Sequence, residues 1–91
     1  MKDVMQKNLE AGVETTFDMS LKRSRFLVKN FTDGNISVRL GNNTGHSIIG
    51  ARCFEVVFNN INNRVSTIPE VTDTVLVIAD VPGLVEVASV D

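Results

Sequence analysis

Hydrophobic and polar residues alternate along much of this chain, and the alternation predicts β-strands. Residues 13–21 are the simplest case, because every second side chain falls on one side, formed by Val13, Thr15, Phe17, Met19 and Leu21. A period of two places alternate side chains on opposite faces of a strand. We therefore expect a half-buried strand over residues 13–21, with this face toward a core.

Residues 24–40 predict a hairpin, since two alternating segments flank Asp33-Gly34, a strong turn signal. A two-residue turn at Asp33-Gly34 places Lys29 opposite Val38, a mismatch of faces. We favour a three-residue loop over residues 32–34, which pairs Val28 with Val38 and Phe26 with Leu40. This register gives one apolar face made of Phe26, Val28, Ile36, Val38 and Leu40.

The most strongly patterned stretch is residues 74–88, two apolar runs joined at Pro82-Gly83. These turn residues suit a type II turn, which splays hairpin arms more than the primed turns do. We therefore expect the two runs to bend into different sheets and form a corner of the fold. Asp80, inside the first run, is expected to point to solvent or to protect a sheet edge.

The rest of the chain predicts further short strands and loops. Residues 41–50 and 59–63 predict loops because Gly and Asn dominate them, and 51–60 predict a strand between them. A short strand over 65–68 ends at Pro69. About seven short strands separated by turn residues indicate an all-β fold, a small antiparallel β-sandwich or jelly-roll-like barrel.

The domain organisation follows from length. Ninety-one residues suffice for one domain, and the polar segment at the start is too short for a stable isolated helix. We expect a flexible N-terminal arm over 1–12 and a single β domain over 13–91. The runs at 53–58 and 75–79 are apolar on both faces, so we expect them at the centre of the fold or at a subunit interface.

Composition and charge limit the classes of partner that we expect for this chain. The chain carries a net charge of −2, which gives no general attraction to nucleic acid or an anionic membrane. No run approaches the ~20 apolar residues of a membrane span. The polar N-terminus has no apolar signal region, so we expect synthesis in a bacterial cytoplasm without a signal peptide.

Candidate chemistry is sparse. His46 has no nucleophile or carboxylate placed beside it by a motif, so we expect an ordinary loop histidine. Cys53 lies in an apolar run and is expected to be a small buried hydrophobic residue. The basic cluster at residues 22–29 is expected to be a solvated face or subunit contact, with Phe26 in the core. We predict no enzyme, no catalytic residue, no metal site and no cofactor.

Two segments carry a resemblance to a known group of proteins. FLVKNFTDGNISVRLG and TVLVIADVPGLVEVASVD resemble parts of short all-β proteins encoded among phage and prophage virion genes. In those proteins an early hairpin with this Asn-x-Thr-Asp-Gly pattern and a late Val-Glu-Val strand flank a variable middle. The resemblance implies a structural role as a head, fibre or tail accessory protein, and it carries over no binding residue.

The expected function is therefore a non-catalytic structural or assembly protein, a phage or prophage virion component that self-associates or docks on a larger particle. Its expected partners are further copies of itself or other virion proteins. The alternative is a small ligand- or carbohydrate-binding module that uses the loops 41–50 and 59–63. The absence of Trp and Tyr weighs against sugar binding, since sugars usually stack on these rings. Nucleic-acid binding through residues 22–29 ranks third.

Overall fold

The computed structural model describes residues 3–41, 46–58 and 71–90, and the regular elements in these ranges are strands. In chain order they are β1 (Val4–Leu9), β2 (Thr15–Arg23), β3 (Arg25–Asn30), β4 (Ile36–Leu40), β5 (Ser47–Ile49), β6 (Phe54–Phe58), β7 (Thr72–Ala79) and β8 (Gly83–Val90). The predictions of a turn over 59–63 and a strand over 65–68 lie outside the described residues.

The strands form two antiparallel four-stranded sheets. Sheet A has the order β1-β8-β3-β6, and sheet B has the order β2-β7-β4-β5. The chain changes sheet at every connection except that between β4 and β5. Eight strands wound in this way form a double-sheet jelly roll. The prediction of an all-β sandwich or jelly-roll-like fold is confirmed, with eight strands in the described residues against about seven expected for the chain.

The core lies between the two sheets, and valine is its most frequent residue. Alternation fixes which residues enter it, since β3, β4 and β7 each bury every second side chain. Valine suits these positions because its branched side chain is stiff and packs well on a pleated surface. The fully buried apolar side chains with no exposed area are Phe17, Phe26, Val28, Ile49, Val75, Val77, Ala79, Val85 and Val87.

The hairpin predicted over residues 24–40 is wrong, although its apolar face is right. The residues of that face are all buried, but β3 lies in sheet A and β4 in sheet B, so Val28 pairs with Val87 and Glu55 while Val38 pairs with Val77. Both strands face the same core from opposite sides. Alternation alone does not distinguish facing across a core from pairing within a sheet.

The corner predicted at Pro82-Gly83 is confirmed, because β7 belongs to sheet B and β8 to sheet A. Each of the two strands is central in its own sheet, with a neighbour on both sides. Asp80 follows the end of β7 and is exposed, and its N–H donates to Asn35 O at 3.0 Å. Its position agrees with the expectation that it points to solvent.

The flexible arm predicted over residues 1–12 is instead largely a strand. β1 pairs with β8 along its whole length, and Leu9 is 3% exposed in the core. The Gly12 N–H then donates to Ala79 O at 2.8 Å. The segment looked polar because β1 is an edge strand, and its alternation of exposed and half-buried residues leaves few apolar positions to recognise.

The loop predicted over residues 41–50 contains β5, which pairs with β4 through Ile36↔Ile49, Ser37↔Ile48 and Val38↔Ser47. A strand of three residues offers too little alternation for sequence recognition. Ile49 is completely buried, whereas Ile48 is 61% exposed. β5 therefore contributes one residue to the core and closes the edge of sheet B.

One end of the sandwich is held together by a buried polar cluster around Asn30, and we call it the Asn30 end. The Asn30 Nδ2 group contacts the carbonyl oxygens of Gly34, Ile49 and Gly50 at 2.9, 3.2 and 2.9 Å. Asn30 Oδ1 accepts from the N–H and hydroxyl of Thr32 at 2.9 and 2.7 Å. The cluster ties the β3–β4 connection to the β5–β6 connection.

Candidate functional site

The outer face of sheet A carries three of the seven large apolar side chains that are exposed in the described residues, Val4, Phe54 and Val56. The other four, Val13, Leu21, Ile48 and Val71, lie outside sheet A. Strand register aligns Val4, Ala88, Leu27 and Val56 in one row across β1, β8, β3 and β6. Val4 is 50% exposed and Val56 44% exposed, while Leu27 and Ala88 between them are half-buried. Aligned side chains on neighbouring strands touch, so this row is a continuous apolar strip.

The next row on the same face mixes charge with an aromatic ring. It runs Gln6, Glu86, Lys29, Phe54 across the four strands. Gln6 Nε2 donates to Glu86 Oε1 at 2.7 Å, and Lys29 Nζ lies 3.3 Å from Glu86 Oε2. Lys29 Nζ also lies 5.4 Å from the centre of the Phe54 ring. The charges in this row are therefore compensated within the face.

Phe54 anchors the β6 end of this face. Its ring is 51% exposed and packs edge-on against the half-buried Phe31, with 5.2 Å between the ring centres. Edge-to-face packing at this distance is favourable for aromatic pairs. The geometry fixes an exposed aromatic side chain beside the apolar strip. A surface of this kind is suited to contact with another protein surface.

The Gln6 hydrogen bond, helped by Lys29, lowers the pKa of Glu86 below its ordinary value of 4.5. Because its pKa is lowered in the folded state, ionised Glu86 stabilises the fold at pH values above the ordinary pKa. This stabilisation is lost as the pH falls through the folded-state pKa. Glu86→Gln is therefore expected to cost less than about 1 kcal/mol at about pH 7, with the difference from the natural chain vanishing at about pH 3.

Urea unfolding at both pH values, followed by circular dichroism, measures this effect. Glu10→Gln serves as the control, since Glu10 is exposed beyond the end of β1. A Glu86→Gln cost that is the same at both pH values would show that packing, and not the charge of Glu86, is responsible.

The two residues singled out in the sequence for their chemistry lie apart from this face. His46 is exposed before β5, and its Nδ1 shares a hydrogen bond of 3.0 Å with the Ser37 hydroxyl. Cys53 is exposed, so the prediction of a buried cysteine is wrong. It precedes β6, where the β5–β6 connection turns at the surface, and its thiol donates to Ala51 O at 3.4 Å.

The basic cluster does not form one surface. Lys22 and Arg23 end β2 in sheet B, whereas Arg25 and Lys29 lie on β3 in sheet A. Lys29 is paired with Glu86, as described above. Phe26 is completely buried, as expected.

Within residues 3–41, 46–58 and 71–90, no group of His, Cys, Asp and Glu side chains is arranged to hold a metal ion. The same described ranges contain no helix able to cross a membrane. The chain matches no protein-family model, no curated protein and no solved structure.

The sequence carried one signal for the outer face of sheet A. The segment 53–58 has apolar residues at both odd and even positions, that is, on both faces of a strand, which predicted a central or interface strand. Among the described strands, β6 is the last in sheet A, with Val57 6% exposed toward the core and Val56 44% exposed on the other face. Val4, Leu27 and Ala88 were missed, because the alignment of separate strands decides that they share one row.

Proposed function

We propose that this protein is a non-catalytic assembly component that self-associates, or docks on a larger particle, through the outer face of sheet A. The observation that carries the proposal is the apolar strip of Val4, Ala88, Leu27 and Val56 with Phe54 beside it. Contiguous exposed apolar surface is costly in water and marks contact surfaces in stable proteins.

The charges on this face support the same function. Glu86 is neutralised by Lys29 and hydrogen-bonded by Gln6, so the outer face offers few uncompensated charges to desolvate on contact. Interface cores are typically depleted of unpaired charge and enriched in aromatic side chains. Phe54 is an aromatic side chain at this surface, and its packing on Phe31 leaves little freedom to lose on binding.

Light scattering tests the self-association directly. We expect a mass above the 10.0 kDa of one chain at micromolar to near-millimolar concentrations. Phe54→Ala should shift the distribution toward the single chain, because truncation removes the aromatic contact. Ile48→Ala is the matched control, since Ile48 is 61% exposed on the other sheet.

A natural chain that stays at the mass of one copy throughout this range would refute self-association. If a larger particle is the only partner, the natural chain should have the mass of a single chain in light scattering and should co-sediment with the particle. Phe54→Ala should weaken the co-sedimentation, and Ile48→Ala should not.

We further propose that the particle is a phage or prophage virion. The support is the sequence resemblance of residues 26–41 and 74–91 to short virion proteins. Jelly rolls occur in viral capsid proteins and also in lectins and enzymes, so the fold is compatible with this role without selecting it. The genes beside this one provide the test, and a neighbourhood without virion genes would count against the proposal.

A second candidate function is ligand or carbohydrate binding through the segments that follow β4 and β6, which belong to the predicted loops 41–50 and 59–63. One observation favours it: β4 and β6 both run away from the Asn30 end, so the chain leaves both strands at the same, opposite end of the sandwich. Loops at one end of a sandwich often form binding sites. Binding to a glycan array would support this function, and a blank array would remove it.

A further inference from the structure

The outer face of sheet A consists of rows of side chains that cross its strands from β1 toward β6. The first row is the apolar strip described above. The second, which we call the charged row, is Gln6, Glu86, Lys29 and Phe54. A third row contains Asn8, Leu84 and Phe31, since Asn8 pairs with Leu84 and the Phe31 N–H donates to Leu84 O at 3.1 Å. These rows define the surface that a partner would meet.

The rows place complementary side chains on either side of the centre of the sheet, which lies between β8 and β3. In the charged row the two inner positions are Glu86 and Lys29, which are opposite in charge. In the apolar strip they are the small Ala88 and the larger Leu27. A surface whose two halves are complementary fits a second copy of itself, because a two-fold contact joins the same patch on both chains.

We propose that two copies of this chain stack the outer faces of their A sheets, related by a two-fold axis that runs parallel to the strands between β8 and β3. The inference rests on the proposed self-association and specifies its geometry. The axis places β8 of one copy over β3 of the other, and β1 over β6. Sheets that pack face to face lie ~10 Å apart, with strand directions within ~30° of each other.

Opposite charges face each other in this arrangement. Glu86 of each copy lies over Lys29 of the second copy and keeps its own Lys29, whose Nζ is 3.3 Å from Glu86 Oε2. Four charges of alternating sign then surround the axis, so neither charge is desolvated without a partner. Electrostatic complementarity selects the partner and the register more than it adds affinity. The apolar rows supply the affinity.

The apolar side chains also match in size and position. Leu27 lies over Ala88 of the second copy, so a large side chain meets a small one and the two faces interdigitate. Val4 lies over Val56 of the second copy, and both are about half exposed in the single chain, at 50% and 44%. Phe54, 51% exposed, is covered by β1 of the second copy. The most exposed apolar side chains of this face are therefore the ones that the stacking buries.

A two-fold axis that runs across the strands gives a poorer contact. With the axis on the charged row, Glu86 meets Glu86 and Lys29 meets Lys29 of the second copy, and facing like charges are costly. With the axis on the apolar strip, Lys29 meets Arg25, which lies two residues before Leu27 on β3. With the axis midway between these rows, the charges lie on apolar side chains. Only the axis parallel to the strands joins opposite charges among these arrangements.

The size of the face sets the expected strength of the dimer. Four strands ~4.8 Å apart and three rows ~6.8 Å apart cover a projected patch of about 400 Å² in each copy. Standard stable interfaces bury about 800 Å² per partner, and smaller ones belong to weak or transient complexes. We therefore expect a reversible dimer with a dissociation constant in the micromolar to near-millimolar range.

A double-mutant cycle at Val4 and Val56 tests the axis. The two positions are three strand spacings apart in one sheet, about 14 Å, so charges placed there are too distant to pair within a chain. Between copies they face each other. We expect Val4→Lys and Val56→Glu each to raise the dissociation constant about tenfold or more, and the double variant to return to within about threefold of the natural chain. Val13→Lys with Ile48→Glu, at exposed sites outside sheet A, should show no such recovery.

Mixing two charge variants provides a second test. Lys29→Glu leaves two acids at the inner positions of the charged row, and Glu86→Lys leaves two lysines, so each variant alone should repel its own copies. An equimolar mixture restores opposite charges across the interface and should associate at least about tenfold more tightly than either chain alone. Arg39→Glu mixed with Glu14→Lys is the matched control, because this ion pair beside sheet B, with 3.5 Å between Arg39 Nη2 and Glu14 Oε2, allows the same changes in net charge.

Sedimentation velocity measures the dissociation constants, and circular dichroism checks that every variant is folded. Suppose the natural chain associates, but the double variant is no tighter than the single ones, or the mixture gains no more than the matched control mixture. Either result would overturn the stacked dimer and leave self-association in place. A natural chain that remains single at near-millimolar concentration would overturn both the stacking and the self-association.

Discussion

Asn30→Ala is expected to lower the free energy of unfolding by about 2–4 kcal/mol, although the residue removed is polar. Asn30 is completely buried, and its amide contacts the carbonyl oxygens of Gly34 in the β3–β4 connection, of Ile49 at the end of β5 and of Gly50 after it. Alanine removes these donors and also the acceptor for the Thr32 N–H and hydroxyl. Buried polar groups left without a partner are costly, because water no longer compensates them.

Urea unfolding followed by far-ultraviolet circular dichroism measures this loss, because the chain has no Trp or Tyr for fluorescence. Asn8→Ala is the control at an exposed site on β1, with an expected change within about 0.5 kcal/mol. Asn30→Asp keeps the shape but replaces the amide donor by a carboxylate facing carbonyl oxygens, so it should be at least as harmful. Equal stability of Asn30→Ala and Asn8→Ala would contradict the structural role of the Asn30 cluster.

Phe17→Ala is expected to have the largest effect of all, a loss of about 3–5 kcal/mol. Phe17 has no exposed area and sits on β2 at the centre of the core, with Lys7 Nζ 5.5 Å from the ring centre. A domain of this size has a total stability of only about 5–15 kcal/mol. The variant is therefore expected to unfold at a much lower urea concentration, or to be unfolded without urea.

Phe54→Ala provides the comparison for the same chemical change at a surface site. Its ring is 51% exposed, so the expected loss is below about 1 kcal/mol when measured at a concentration low enough to keep the chain single. The variant should instead affect the mass of the assembly, as described above. A Phe54→Ala loss as large as that of Phe17→Ala would show that Phe54 supports the fold and not a contact surface.

Two parts of the fold were predictable because their signals are local. The alternation over β3 and β4 identified the buried face from Phe26 to Leu40, and all of its members are in the core. The Pro82-Gly83 turn indicated a corner between sheets, which the structure confirms. Both predictions depended only on period-two patterning and turn chemistry, which neighbouring residues specify.

The predictions that proved wrong concern interactions between distant parts of the chain. Asp33-Gly34 indicated a hairpin, but the connection is a crossover. Asn30 donates to the carbonyl groups of Ile49 and Gly50, and the Thr32 carbonyl accepts from the Arg52 N–H. β1 was expected to be an arm, because its stability comes from pairing with β8 at the other end of the chain. Cys53 was expected in the core, because the turn that places it at the surface leaves no local signal.

The sequence by itself determined the fold class and most of the residues that face the core, since alternation and valine content are properties of short segments. Only the tertiary structure decided which strands are neighbours, that β6 is the last described strand of sheet A, and that Val4, Ala88, Leu27 and Val56 form one row. The reason is physical. Strand pairing is selected by the burial of all segments together, and each contact in that row joins residues that are distant in the chain.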